Sequence, residues 1–126
     1  MITGIEFGGK MTISISPDGR EFPVPSEEQS NADFVRVRKL AEDARKRGDE
    51  VVVVMGMGFV GIVMAAIVAD APNKFVIGCQ RPSARSYWKV PILNTGVNPL
   101  EAEDPEVSEL ISRTISEKKS FIATSN

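Results

Sequence analysis

The chain has 126 residues, 42% of them apolar and 25% charged, which are ordinary proportions for a globular domain long enough to bury one core. A formal net charge of −2 leaves no basic stripe to displace counterions, which argues against a dedicated nucleic-acid surface. The lone cysteine, Cys79, excludes an internal disulfide and any CxxC pair, and the absence of histidine removes the commonest general base and metal ligand.

No charged n-region followed by an apolar h-region opens the chain, so a cytoplasmic location is the expectation. Thr12, Ile13, Ser14 and Ile15 alternate with period two, and Ser16-Pro17-Asp18-Gly19 has turn chemistry. Arg20 to Val24 can return as a second strand, restricted to an edge by Pro23. A two-stranded hairpin is marginal unless it packs on something, so a decorating hairpin or a partly ordered arm is expected. A helix starts at Ser26, where Ser26 and Gln29 fit a capping box, or at Ser30. Phe34, Val37, Leu40, Ala41 and Ala44 make its apolar face, and Gly48 ends it after Lys46 and Arg47. Its charges read as a solvated face.

Residues 51–69 organise the rest. Four valines lead into Gly56-Met57-Gly58-Phe59-Val60-Gly61, and a small-residue apolar segment follows. As strand, glycine turn and helix, this is a dinucleotide-phosphate site. Gly56 permits the tight turn, Gly58 lets the backbone approach a pyrophosphate, and Gly61 lets the helix lie close to the sheet. The phosphates then face unpaired N–H groups at the positive end of the helix. Two other readings compete: a membrane span, which the uncharged length permits, and a glycine turn that only packs. β-Branched residues before the glycines, acidic flanks at Asp49, Glu50 and Asp70, and three glycines where a span wants helix formers oppose the span.

The helix should run from Phe59 to Ala71 and stop at Pro72-Asn73; residues 74–79 then read as a second, buried parallel strand. Strand, helix and strand within about 30 residues match the βαβ unit. At the end of the second strand, where a carboxylate selects NAD through the ribose hydroxyls, this chain has Gln80 followed by Arg81, Pro82, Ser83, Ala84 and Arg85. Gln80 brings no charge to repel a 2′-phosphate, and Arg81 and Arg85 can attract one, which implies relaxed NAD/NADP choice or NADP preference. The other reading has Arg81 stacked on adenine or turned to solvent. Cys79 reads as a small buried hydrophobe. Tyr87 and Trp88 belong to a short helical piece that covers the sheet edge or the adenine pocket, and Pro91 prevents a long helix. Asn94-Thr95-Gly96 is a turn. Asp104-Pro105 opens a helix whose buried stripe is Val107, Leu110, Ile111, Thr114 and Ile115, closed by Lys118 and Lys119. Residues 121–124 read as a third strand. Glu101, Glu103 and Asp104 serve solvation and capping, without metal-ligand spacing.

Over about residues 50–126 the chain resembles the N-terminal NAD-binding domain of the UDP-glucose/GDP-mannose (nucleotide-sugar) dehydrogenase family. The resemblance rests on residues 54–61, on Val76-Ile77-Gly78, and on the Leu93-Asn94-Thr95-Gly96 turn. It rests further on residues 104–110, where the family usually has Glu-Pro-Gly-Leu-x-Glu-Leu, and on Ala123-Thr124-Ser125-Asn126, similar to its Ala-Thr-Thr-Asp. It implies transfer of two hydrides to NAD as a sugar C6 hydroxyl becomes a carboxylate through a cysteine-bound intermediate. Carried over residue by residue, it makes Gly56, Met57, Gly58, Phe59, Val60 and Gly61 the pyrophosphate loop. It puts Gln80 at the ribose position, with Arg81 beside it, and Arg85 near the adenosine end. Gln80 departs from the family's carboxylate. The Gly-Gly-x-Cys surroundings of the catalytic cysteine have no match here, and Cys79 does not substitute for them.

These readings lead to an α/β chain: a partial Rossmann-type parallel sheet (β-α-β-α-β) over residues 50–126, preceded by an N-terminal extension, 1–49, of hairpin plus helix. The expected function is NAD(P) binding within an NAD-dependent nucleotide-sugar 6-dehydrogenase of polysaccharide biosynthesis, with catalytic residues outside this chain. A stand-alone NAD(P)-sensing module is the alternative. The expected cofactor is NAD, with NADP possible, and the expected partner in the whole enzyme is a nucleotide sugar, with no nucleic acid, membrane or metal. A sheet edge left unpaired after residue 126 leads to the expectation that the chain either pairs with another copy, as a homo-oligomer, or is marginal in solution.

Overall fold

The structure, a computed structural model, describes residues 12–100 and 104–125. Strands β1 (Ile13–Ile15) and β2 (Glu21–Pro23) form the expected antiparallel hairpin, closed at Gly19 with φ +89°. The hairpin is docked: the fully buried Ser14 accepts the Trp88 N–H at 2.9 Å through its hydroxyl. Helix α1 (Glu27–Lys46) starts at Ser26, whose capping box with Gln29 is complete in both directions, and Gly48 ends it at φ +91°.

Strands β3 (Glu50–Met55), β4 (Lys74–Cys79) and β5 (Phe121–Thr124) build a parallel sheet in the order β3-β4-β5. Val51 pairs with Phe75 and Val76 with Phe121, which fixes the inward and outward sets of all three strands. Phe75, Ile77 and Cys79 face α1, where Val37, Ala41 and Ala44 bury against them together with Val51 and Ile122. The alternate residues Val76, Phe121 and Ala123, with Val52 and Val54, face α2 (Phe59–Asp70) through Ile62, Ala65, Ala66 and Ala69. The alanines keep α2 narrow, which is why so apolar a helix seats closely on the strands. The uncharged run of residues 51–69 is therefore strand, turn and helix; among the described residues no helix is long and apolar enough to cross a membrane.

Helix α3 (Lys89–Asn94) is short, with Pro91 in its first turn, where a missing N–H costs nothing. Its last residue closes the outer edge of β5: the Asn94 side chain accepts from the Ala123 N–H at 2.8 Å and donates to the Ala123 carbonyl at 2.9 Å. Helix α4 (Pro105–Ser112) is capped by Asp104, which accepts from the Glu106 N–H. It continues through a π-helical turn, Arg113–Glu117, where Lys118 N–H reaches Arg113 O and the Thr114 hydroxyl donates to Leu110 O. The chain is α/β and Rossmann-like, with an N-terminal hairpin and helix. Two details depart from the sequence reading. Phe34 is 54% exposed although it falls on the apolar stripe of α1, and the last helix widens into a π turn instead of running evenly to its lysines. Glu101 and Glu103 lie outside the described residues.

Candidate functional site

The three glycines of the loop between β3 and α2 are required for different reasons. Gly56 has φ +90°, a conformation that side chains rarely adopt, so the chain can leave β3 sharply only with glycine there. At Gly61 a Cβ would stand 1.9 Å from the Gly56 carbonyl oxygen, so the first turn of α2 closes onto the loop only without one. Gly58 is unlike both. Its φ of −80° suits any residue, and a Cβ built on it meets nothing within 4 Å. The fold requires glycine at 56 and 61 but not at 58.

Gly58 is the N-cap of α2, and no side chain caps this helix. The first helical bond is Ile62 N–H to Gly58 O at 2.9 Å. The amides of Gly58, Phe59, Val60 and Gly61 accordingly have no acceptor among the described residues, at the end of the helix where the dipole is positive. The side chains of Phe59 and Val60 are exposed and apolar, so these two positions offer their backbone alone. Met57 is placed differently. Its side chain is fully buried, filling the space left by Gly78 on β4, where a Cβ would meet the Met57 sulfur at 2.5 Å. Its N–H donates to Gln80 Oε1 at 3.0 Å. Met57 thus pins the loop to the sheet, and Gln80 fastens it from the end of β4.

A cleft of about 450 Å³ opens at the carboxyl ends of the three strands, lined by Met55, Gly56, Cys79, Gln80, Arg81 and Ser125. This is the position at which open parallel sheets receive ligands. Burial pushes the Cys79 thiol up, so it is a neutral wall and not a thiolate nucleophile at neutral pH. Arg81 is exposed and forms no ion pair among the described residues. Of the residues singled out in the sequence, the structure brings Gly56, Gln80 and Arg81 to one cleft with the loop of residues 57–61 beside it. Arg85 does not line this cleft; its carbonyl accepts the Trp88 indole N–H at 3.1 Å, and its side chain is exposed. Met55 and Ser125 were not singled out as lining residues; Ser125 carried a signal, as the residue after the last strand.

A second hollow, about 480 Å³, lies between the hairpin, α1 and α3, bordered by Asp33, Arg36, Tyr87 and Asn94 among others. Its polar groups are largely spent on one another. Arg36 pairs with Asp33 at 2.7 Å, Thr124 donates to Asp33, and Asn94 holds Ala123. Burial, with a smaller contribution from the Asp33 charge, pushes the Tyr87 phenol up and keeps it neutral. The glycine loop and its cleft, by contrast, hold amides and a side-chain donor with no acceptor among the described residues.

No family model and no curated protein matches the chain. Among solved structures it is similar to the crystal structure of NDP-N-acetyl-D-galactosaminuronic acid dehydrogenase from Methanosarcina mazei Go1. The identity is 40% and the TM-score 0.57, over 68% of this chain and 18% of that one. The chain therefore spans less than a fifth of the length of the protein it matches. In sequence and in fold alike, this chain resembles the nucleotide-sugar dehydrogenases, an oxidoreductase family.

Proposed function

We propose that residues 50–126 hold the pyrophosphate and adenosine end of a nicotinamide dinucleotide within a nucleotide-sugar dehydrogenase, residues 1–49 being an extension whose helix α1 covers the opposite face of the sheet. The observation that carries this reading is Gly58, a glycine that the fold does not need, opening beside amides that have no acceptor among the described residues. A diphosphate fits both features: it needs close backbone approach and it accepts from successive N–H groups. In this reading the amides of Gly58, Phe59, Val60 and Gly61 hold the phosphate oxygens, Met57 and Gly78 keep the loop rigid, and Gln80 and Arg81 meet the adenosine ribose. Arg85 stands further out on the adenosine side. The bound cofactor supplies the hydride acceptor for oxidation of a sugar C6 hydroxyl. The groups that act on the sugar lie outside this chain, for which Cys79, neutral and buried, is no substitute.

Titration calorimetry of the chain with NAD, NADP and ADP-ribose tests this reading, with Gly58→Val as the matched variant. Binding of at least one ligand is expected. Gly58→Val should weaken it by at least about tenfold while costing no more than about 1 kcal/mol of stability, since only an N-cap preference is lost. Absence of heat with all three ligands, or unchanged affinity in Gly58→Val, contradicts the assignment.

A further inference from the structure

We propose that the cleft selects the dinucleotide bearing a 2′-phosphate, NADP, and that Gln80 and Arg81 are the selecting residues; this rests on the dinucleotide reading above. A carboxylate at the end of the second strand selects NAD because its oxygens accept from the ribose hydroxyls and repel a phosphate. In this chain the position is occupied by an amide whose oxygen is already engaged. Gln80 Oε1 accepts the Met57 N–H at 3.0 Å, and only the oxygen of the amide can accept from a backbone donor. The orientation of the amide is thereby fixed. The group that remains is Nε2, a donor, which has no acceptor among the described residues.

The rest of the lining has the same bias. Arg81 follows directly and lines the same cleft, with no carboxylate among the described residues in ion-pair reach. Met55 is apolar, Ser125 a neutral hydroxyl and Cys79 a neutral thiol. Among the described residues no carboxylate lines the cleft, and in the dinucleotide reading a donor and a cation meet the ribose 2′ position. That set offers little acceptor capacity to a hydroxyl and suits a dianionic phosphate, which a guanidinium can take with two parallel hydrogen bonds.

Calorimetric titration of the full chain with NADP, NAD and ADP-ribose reads the selection directly. NADP should bind at least about tenfold more tightly than NAD, the worth of one charge-assisted hydrogen bond. Arg81→Ala removes an exposed side chain and leaves the core intact. It should lower NADP affinity about tenfold and change NAD affinity by less than about twofold. Gln80→Glu keeps one oxygen for Met57 and presents the other to the ribose, and should reverse the order of the two cofactors. NAD binding as tightly as NADP overturns the selection and leaves the dinucleotide reading standing. Equal weakening of both cofactors by Arg81→Ala also overturns it, and marks Arg81 as an adenine-stacking residue. Failure of all three ligands to bind the wild-type chain overturns the dinucleotide reading and the selection together.

Discussion

The two ends of the parallel sheet are finished in opposite ways. At the amino end a dense set of side-chain pairs lies within the chain. Lys74 pairs with Glu50, Arg47 with Asp49 at 2.7 Å, and the two-pronged Arg113 guanidinium holds Asp70 at 2.9 and 3.1 Å. Ser120 Oγ donates to Ala69 O at 2.7 Å, and Ser120 N–H to Thr114 O at 2.9 Å. At the carboxyl end the amides of residues 58–61, the Gln80 Nε2 and the Arg81 guanidinium have no partner among the described residues. The difference separates stability from binding: substitutions at the amino end should move the first alone, and most at the carboxyl end chiefly the second.

Gly61→Ala is the exception and should have the largest effect. Its Cβ would collide with the Gly56 carbonyl at 1.9 Å, so the loop or the first turn of α2 must shift. A loss of about 3 kcal/mol is expected, with a fall in cofactor affinity, read by denaturant unfolding and calorimetry. Ser120→Ala belongs to the stitched end. It leaves the Ala69 carbonyl unpaired in a buried position and should cost about 1 kcal/mol without changing cofactor affinity. A change in affinity there would break the division between the two ends. Asp70→Asn sharpens the comparison through pH. The hydrogen bond from Arg113 holds the Asp70 carboxyl below its ordinary value, and the Arg113 and Lys118 charges add to this. The unfolded chain therefore takes up this proton first on acidification. The stabilisation is complete above about pH 4 and is lost as the pH falls through the lowered value. The variant should have a modestly lower Tm at neutral pH and a shallower loss of stability below pH 4, as followed by thermal unfolding across a pH series.

Local signals carried most of the fold. The Ser26 capping box, the Asp104-Pro105 helix start, the stop before Lys74 and the strand-glycine-helix order are all written in short stretches, and each appears where the spacing places it. What was not legible depends on partners far along the chain. Met57 reads as one more residue of the pyrophosphate loop, yet it is a buried plug, because Gly78 on the neighbouring strand leaves room for it. Gln80 reads as a ribose contact, and nothing local announces that it holds the Met57 amide 23 residues back. Phe34 has the helical spacing of a core residue but is more than half exposed, since periodicity specifies a face and not how far the sheet extends beneath it. The π turn after α4 likewise follows from a threonine hydroxyl competing for a helical carbonyl, a choice that the apolar stripe does not encode.

Backbone amide chemical shifts, followed by NMR while NADP or NAD is titrated into the chain, test the central claim most directly. The account predicts that the amides of Gly58, Phe59, Val60 and Gly61 shift together at one affinity, while those around Ser120 and Asp70 stay in place. Saturable binding that leaves those four amides unmoved, or no response anywhere with either dinucleotide, would contradict it.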